Sequence, residues 1–155
     1  MISIDQESMQ IVMRLFAATA AGMLIGLNRN ITQKPIGMRT LGLVSLGAAI
    51  VTISSVNFQN LSEYPDPLSR VVQGAVQGIM AGISFIGAGV ILRNSHQGTV
   101  RGLTTAATVW VAAALGIACG LGAWIVVLAS VAITLTLLVV VGWIEIKLGI
   151  DDGDE

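Results

Sequence analysis

The chain has 155 residues, of which 54% are hydrophobic and only 11% charged, and its formal net charge is −1. Soluble domains carry about 25% charged residues, so so few charges, with a mean hydropathy of +0.83, exclude a soluble globule of this size and point to a lipid bilayer as the surroundings. The single cysteine, Cys119, excludes an intrachain disulfide and a cysteine-based metal cage and reads as a small packing residue, while the few, membrane-adjacent basic residues argue against nucleic acid as a partner.

The first ten residues, MISIDQESMQ, include Asp5 and Glu7 and no basic cluster. That is unlike the start of a secretory signal peptide, so the first apolar run is expected to remain as a span. Crossing a bilayer takes about 17–25 apolar residues. Five runs qualify: residues 9–27, 38–56, 71–92, 103–119 and 121–144. None shows the strict alternation of a barrel strand, so helices are expected. Arg14, near the outer end of the first run, reads either as snorkelling outward or as pairing with Asp66 or Glu7.

A basic loop follows the first run, with Arg29, Lys34 and Arg39, and another follows the third, with Arg93, His96 and Arg101. With five spans these loops and Lys147 fall on one side. The opposite side holds Asp5, Glu7, Glu63, Asp66 and the lone Arg70. The positive-inside rule then places the N-terminus outside and the C-terminus in the cytoplasm. The expected fold class is therefore an all-α integral membrane protein, a single transmembrane domain over residues 1–150 with an acidic tail at 151–155.

AGMLIGLNRN (21–30) and AGISFIGAGVILRN (81–94) are similar, and their following arginines correspond at offsets of 64 (Arg29, Arg93) and 62 (Arg39, Arg101). This reads either as a parallel repeat of two hairpins or as convergent use of Gly, Arg and Thr at helix ends. Gly74, Gly78 and Gly82 stand four apart, as do Gly22/Gly26 and Gly116/Gly120. Small residues at this spacing let backbones approach closely. They serve packing within the chain or a homodimer face. Gly87 and Gly89 suggest a local break in the third span, and Gln73 and Gln77 are expected to face protein or water.

Arg39-Thr40 and Arg101-Gly102-Leu103-Thr104-Thr105 lie where the second and fourth helices begin. Helix N-termini offer free N–H groups, and threonine is a natural cap. With Arg29 and Arg93 alongside, these residues form a candidate site for a phosphate, an anionic lipid head group or a partner's carboxylate. The alternative is that the arginines only set topology. In the outer loop, Asp66 and Arg70 are four apart and read as a local ion pair, with Asp66 and Glu63 meeting a divalent cation as the weaker reading. Trp124 and Trp143 are 19 residues apart, about 28 Å along a helix, which suits rings in the two interfacial belts.

No carboxylate falls deep in a span, so a carboxylate-coupled pump is disfavoured. A lone His96 gives no catalytic constellation and no metal site, and no phosphate-cradling glycine loop of the nucleotide-binding kind is present. The expectation is a non-enzymatic protein with no cofactor. A small transporter or channel for an anion or Mg2+ is the competing reading, and an enzyme acting on a lipid phosphate a weaker third.

The blocks IGLNRN…GMRTLGLVSLGAAI, DPLSR, AGISFIGAGVILR and VRGLTTAATVWVAAALGIACGLG, in this order, resemble the MgtC/SapB family of bacterial inner-membrane proteins. Arg29, Arg39, Thr40, Asp66, Arg70, Gly87, Gly89, Arg101, Thr104, Thr105 and Trp110 match its pattern. The resemblance implies a five-helix inner-membrane domain and a role in adaptation to low magnesium, acid or host cells. It implies modulation of F-type ATP synthase as a partner role in some members, rather than direct magnesium transport. The chain departs from the pattern at Asn28 and Asn30, which flank Arg29 where acidic residues are usual, at Leu41 in place of a histidine, and at Ser84 in place of a glycine. Larger members carry a soluble C-terminal domain, whereas here DDGDE follows the last span. A homo-oligomer, with a dimer favoured, is expected.

Overall fold

The computed structural model describes residues 6–32, 34–57, 65–93 and 102–148, without the side chains of 65–68, 92–93 and 145–146. Each apolar run is a helix: α1 (Gln6–Ile31), α2 (Met38–Val56), α3 (Pro65–Arg93), α4 (Leu103–Leu121), and a last span made of α5 (Trp124–Thr136), a π-helical turn (Leu137–Val141) and α6 (Gly142–Leu148). Five helices are long and apolar enough to cross a membrane, and no strand occurs among the described residues. The all-helical, five-span expectation holds.

Two boundaries differ from the expected ones. α3 starts at Pro65 rather than near residue 71. Proline's fixed φ and missing N–H suit the first helical position, where no intrahelical bond is due. The last span contains a π turn at LLVVV, which hydropathy does not register. Its three successive β-branched valines are stiff at χ1 and crowd a regular helix. Trp124 and Trp143 are both exposed near the two ends of this span, as interfacial rings would be.

The core is a three-helix cluster of α1, α2 and α4. In α4, 56% of the apolar window is buried, against 6% for α3 and for the last span. Glycine makes this possible. A Cβ at Gly26 would come within 2.5 Å of Met38 Cα, and one at Gly22 within 2.9 Å of Ser45 Cβ. On the other side of α2, a Cβ at Gly116 would lie 2.8 Å from Ala48 Cβ, and one at Gly120 2.8 Å from Thr52 Cβ. α2 is thus gripped between glycine faces of α1 and α4, as small residues four apart allow. Ala18, Ala21, Ala49, Ala112 and Cys119 fill the space between, and Cys119 is the buried packing residue expected.

The glycines of α3 behave differently. Gly74, Gly78 and Gly82 have nothing within 4 Å of a built Cβ, so the reading of them as packing within the chain is overturned. α3 instead turns Val76, Ile79, Met80 and Ile83 toward the core, and this rotation leaves the glycine face outward. α3 also runs unbroken through Gly87 and Gly89, which corrects the expected break. Gly87 is buried, and a Cβ there would lie 3.4 Å from Ala106 Cβ, while one at Gly89 would meet open space. Gln73 and Gln77 are exposed, not turned toward the packed side.

Candidate functional site

Arg29 lies in the last turn of α1, only 2% exposed, and is the largest fully buried side chain among the described residues. A charge in that position needs hydrogen bonds in place of water. Its Nε donates to the Ile36 carbonyl at 3.2 Å, in the short α1–α2 connection. Nη1 donates to Thr108 Oγ1 at 3.5 Å, and Nη2 donates to Thr105 Oγ1. Thr108 is oriented in turn, since its hydroxyl donates to the Thr104 carbonyl at 2.7 Å. The planar guanidinium fork suits this arrangement, with three donors fixed in three directions. It ties the end of α1, the turn into α2 and the start of α4 into one unit.

The turn itself is set by Asn30. Its Oδ1 accepts from the Met38 N–H at 3.2 Å, and a side chain on Gly37 would collide with that amide. The departure from an acidic residue at Asn30 therefore still supplies an oxygen acceptor. Neither α2 nor α4 is capped by the side chain of its own N-cap residue: Gly37 and Gly102 hold those positions, Gly102 with φ 83°. The expected threonine caps are corrected accordingly. Thr104 and Thr105 lie inside the first turn of α4, where Thr105 serves as an acceptor for Arg29.

Arg14 closes the opposite end of α4. That helix ends in a left-handed Gly122 with φ 73°, whose N–H bonds the Cys119 carbonyl at 3.0 Å while the Ala123 N–H bonds the Ala118 carbonyl at 2.9 Å. This paired reversal leaves the Gly120 carbonyl without an intrahelical donor. Arg14 Nη1 donates to it at 3.0 Å. Arg14 thus serves as a helix C-terminal cap, where a cation is also favoured by the helix dipole; the reading of a pair with Asp66 lies outside the described residues.

The expected basic site is brought together only in part. Arg29 and Thr105 meet, with Thr104 half-buried beside them. Arg39 and Thr40 are exposed, whereas Arg29 is buried. Arg101, His96 and the side chains of Arg93 and Asp66 lie outside the described residues, as does Glu63. The reading of Arg39 and Arg101 as one site and the Asp66–Arg70 ion pair therefore fall outside the described set. Of the departures from the family pattern, Leu41 is fully buried in the core, and exposed Ser84 returns its hydroxyl to the Met80 carbonyl at 2.8 Å. Among the described residues no group of three His, Cys, Asp or Glu could hold a metal ion.

Sequence reasoning missed Thr108 and the carbonyls of Ile36 and Gly120. Thr108 carried a usable signal: it stands three residues after Thr105 on the same face of an apolar helix, the spacing at which two hydroxyls present themselves to one partner. The carbonyls had none, because a backbone acceptor leaves no trace in residue type.

This geometry defines a multi-pass helical membrane protein with a closed three-helix core clamped by two arginines of α1. The chain belongs to the MgtC family, which it matches over residues 15–147. It is 42% identical to Protein SrpB of Synechococcus elongatus over 72% of its length and 63% of that protein's. It is 38% identical to Protein SapB of Bacillus subtilis over 91% of its length and 60% of the relative's, and 44% identical to Protein MgtC of Salmonella typhimurium over 72% and 43%. The chain thus spans between about two-fifths and just under two-thirds of these relatives. No solved structure gives a significant match.

Proposed function

We propose that the chain is a non-enzymatic, inner-membrane protein of the MgtC/SapB type, acting in adaptation to low magnesium, acid or host stress through a membrane partner or an anionic ligand. The observation that carries this reading is the contrast between its two halves. α1, α2 and α4 close on one another backbone to backbone at Gly22, Gly26, Gly116 and Gly120, which suits a scaffold better than a conduit. α3 and the last span are almost uncovered, which suits association within the bilayer. Membership of the family supports the magnesium and stress setting. The N-terminus outside, a homodimer and an ATP synthase partner belong to the same proposal, supported by the distribution of basic loops and the uncovered last span.

The test pairs growth with flux. The chain, expressed in a strain lacking its own family member, is expected to restore growth at low magnesium. Purified into liposomes, it is expected to pass neither Mg2+ nor chloride nor phosphate. Specific flux abolished by Thr105→Val or Arg29→Lys would replace this reading with transport, and failure to restore growth would remove the stress role.

A further inference from the structure

A groove of about 520 Å³ runs along the outer surface between α2 and α3. Its α2 wall spans residues 40–51 and its α3 wall residues 78–86. Three glycines hollow it out: Gly47, Gly78 and Gly82 line it, and a Cβ at each would meet nothing within 4 Å. Leu43, Val44, Ile79 and Ile83 supply apolar sides, and Thr40 is the one polar residue that lines it.

The polarity of the groove is directional. Thr40 marks the end where α2 starts, and Arg39 is next to it, exposed and one helical turn from the groove-lining Leu43. Arg39 is not among the residues with a hydrogen bond or ion pair in the described structure. Glu7, the one carboxylate whose side chain is described, sits in the first turn of α1 at the opposite end of the bundle. The start of α2 adds the partial positive charge of a helix N-terminus. The groove therefore has a cationic, hydroxyl-bearing mouth and an apolar body.

Its length decides what fits. The α2 wall covers eleven residue steps, about 16 Å at the helical rise, roughly half of a hydrocarbon core of about 30 Å. A second copy's helix crosses both leaflets, about twice the length of this groove. One acyl chain needs one leaflet, with a head group at its interfacial end. We propose that this groove binds an anionic phospholipid, one acyl chain lying over Gly47, Gly78 and Gly82 and the phosphate meeting Arg39 and the Thr40 hydroxyl. The inference rests on the chain being embedded in a bilayer and is independent of any protein partner or stress role.

Native mass spectrometry of the detergent-purified full chain, offered phosphatidylglycerol or phosphatidylcholine, tests it. The wild type is expected to retain one phosphatidylglycerol about fivefold better than phosphatidylcholine, the scale of one arginine near a membrane surface. Arg39→Gln should abolish that preference. Gly47→Leu and Gly82→Leu should lose both lipids with unchanged thermal unfolding, since the added side chains enter open space. Equal retention of the two lipids by the wild type would overturn the proposal, as would lipid binding unaffected by both leucine variants. A dimer that Gly82→Leu dissociates, with no lipid displaced, would also overturn it and give the groove to a second copy.

Discussion

Thr105→Val tests whether the buried guanidinium holds the bundle together, because valine keeps the shape and removes only the acceptor for Arg29 Nη2. Arg29 is 2% exposed, so water cannot replace the lost bond. A hydrogen bond to a charged group is worth about 1.5–3 kcal/mol in water-soluble proteins. In bilayers, interhelical bonds average about 0.6 kcal/mol and reach about 1.7, because the unfolded state in lipid also finds partners. The lipid figure governs here, and the charge and burial place this bond at its upper end, about 1.5 kcal/mol. Arg29→Lys keeps the charge but cannot fork to Thr105 and Thr108 together, and should cost about 2 kcal/mol. The two changes remove the same contact, so the double variant should fall short of their sum by about 1 kcal/mol. Equilibrium unfolding in mixed detergent micelles measures this. Additivity within about 0.3 kcal/mol would refute the clamp.

The other predictions use the same assay. Arg14→Ala should destabilise by about 1 kcal/mol through the freed Gly120 carbonyl and the lost charge at the end of α4; no change would show the cap to be ornamental. Gly116→Ala should cost more than about 2 kcal/mol, since its Cβ would come 2.8 Å from Ala48 Cβ, whereas Gly74→Ala should be neutral or stabilise by up to about 1 kcal/mol from helix propensity; the reverse order would refute the core assignment. Ser45 Oγ is buried with no hydrogen-bond partner among the described residues, so Ser45→Ala should stabilise by up to about 1 kcal/mol, and a loss of stability would show that the hydroxyl has a partner.

The spans were legible because lipid demands long apolar runs, and five such runs are hard to miss. The close approach of helices was legible at Gly22/Gly26 and Gly116/Gly120, where spacing and packing agree. It failed at Gly74, Gly78 and Gly82, because spacing says which residues share a face but not which way the face turns. Only the competing preference of Ile79, Met80 and Ile83 for the core decides that rotation. The arginines were legible as a group and not as individuals. Charge and loop position are alike for Arg29 and Arg39, while their burial differs completely.

That difference follows from register. Arg14 meets Gly120 and Arg29 meets Thr105, so both partners lie fifteen residues apart, about 22 Å, on two antiparallel helices. α1 therefore grips α4 at both ends in one fixed alignment, and a slip of one turn would break both contacts at once. The two grips are not electrostatically equal. A cation suits the C-terminal end of α4, where Arg14 sits, but opposes the dipole at its N-terminal end, where Arg29 sits. The Thr105 and Thr108 hydroxyls offset that opposition by accepting from the guanidinium, which explains why threonines rather than alanines face it there. An arginine committed in this way is a fixed part of the scaffold. The anion contact proposed at the same end of the bundle then rests on Arg39, which is exposed beside Thr40 at the mouth of the α2–α3 groove.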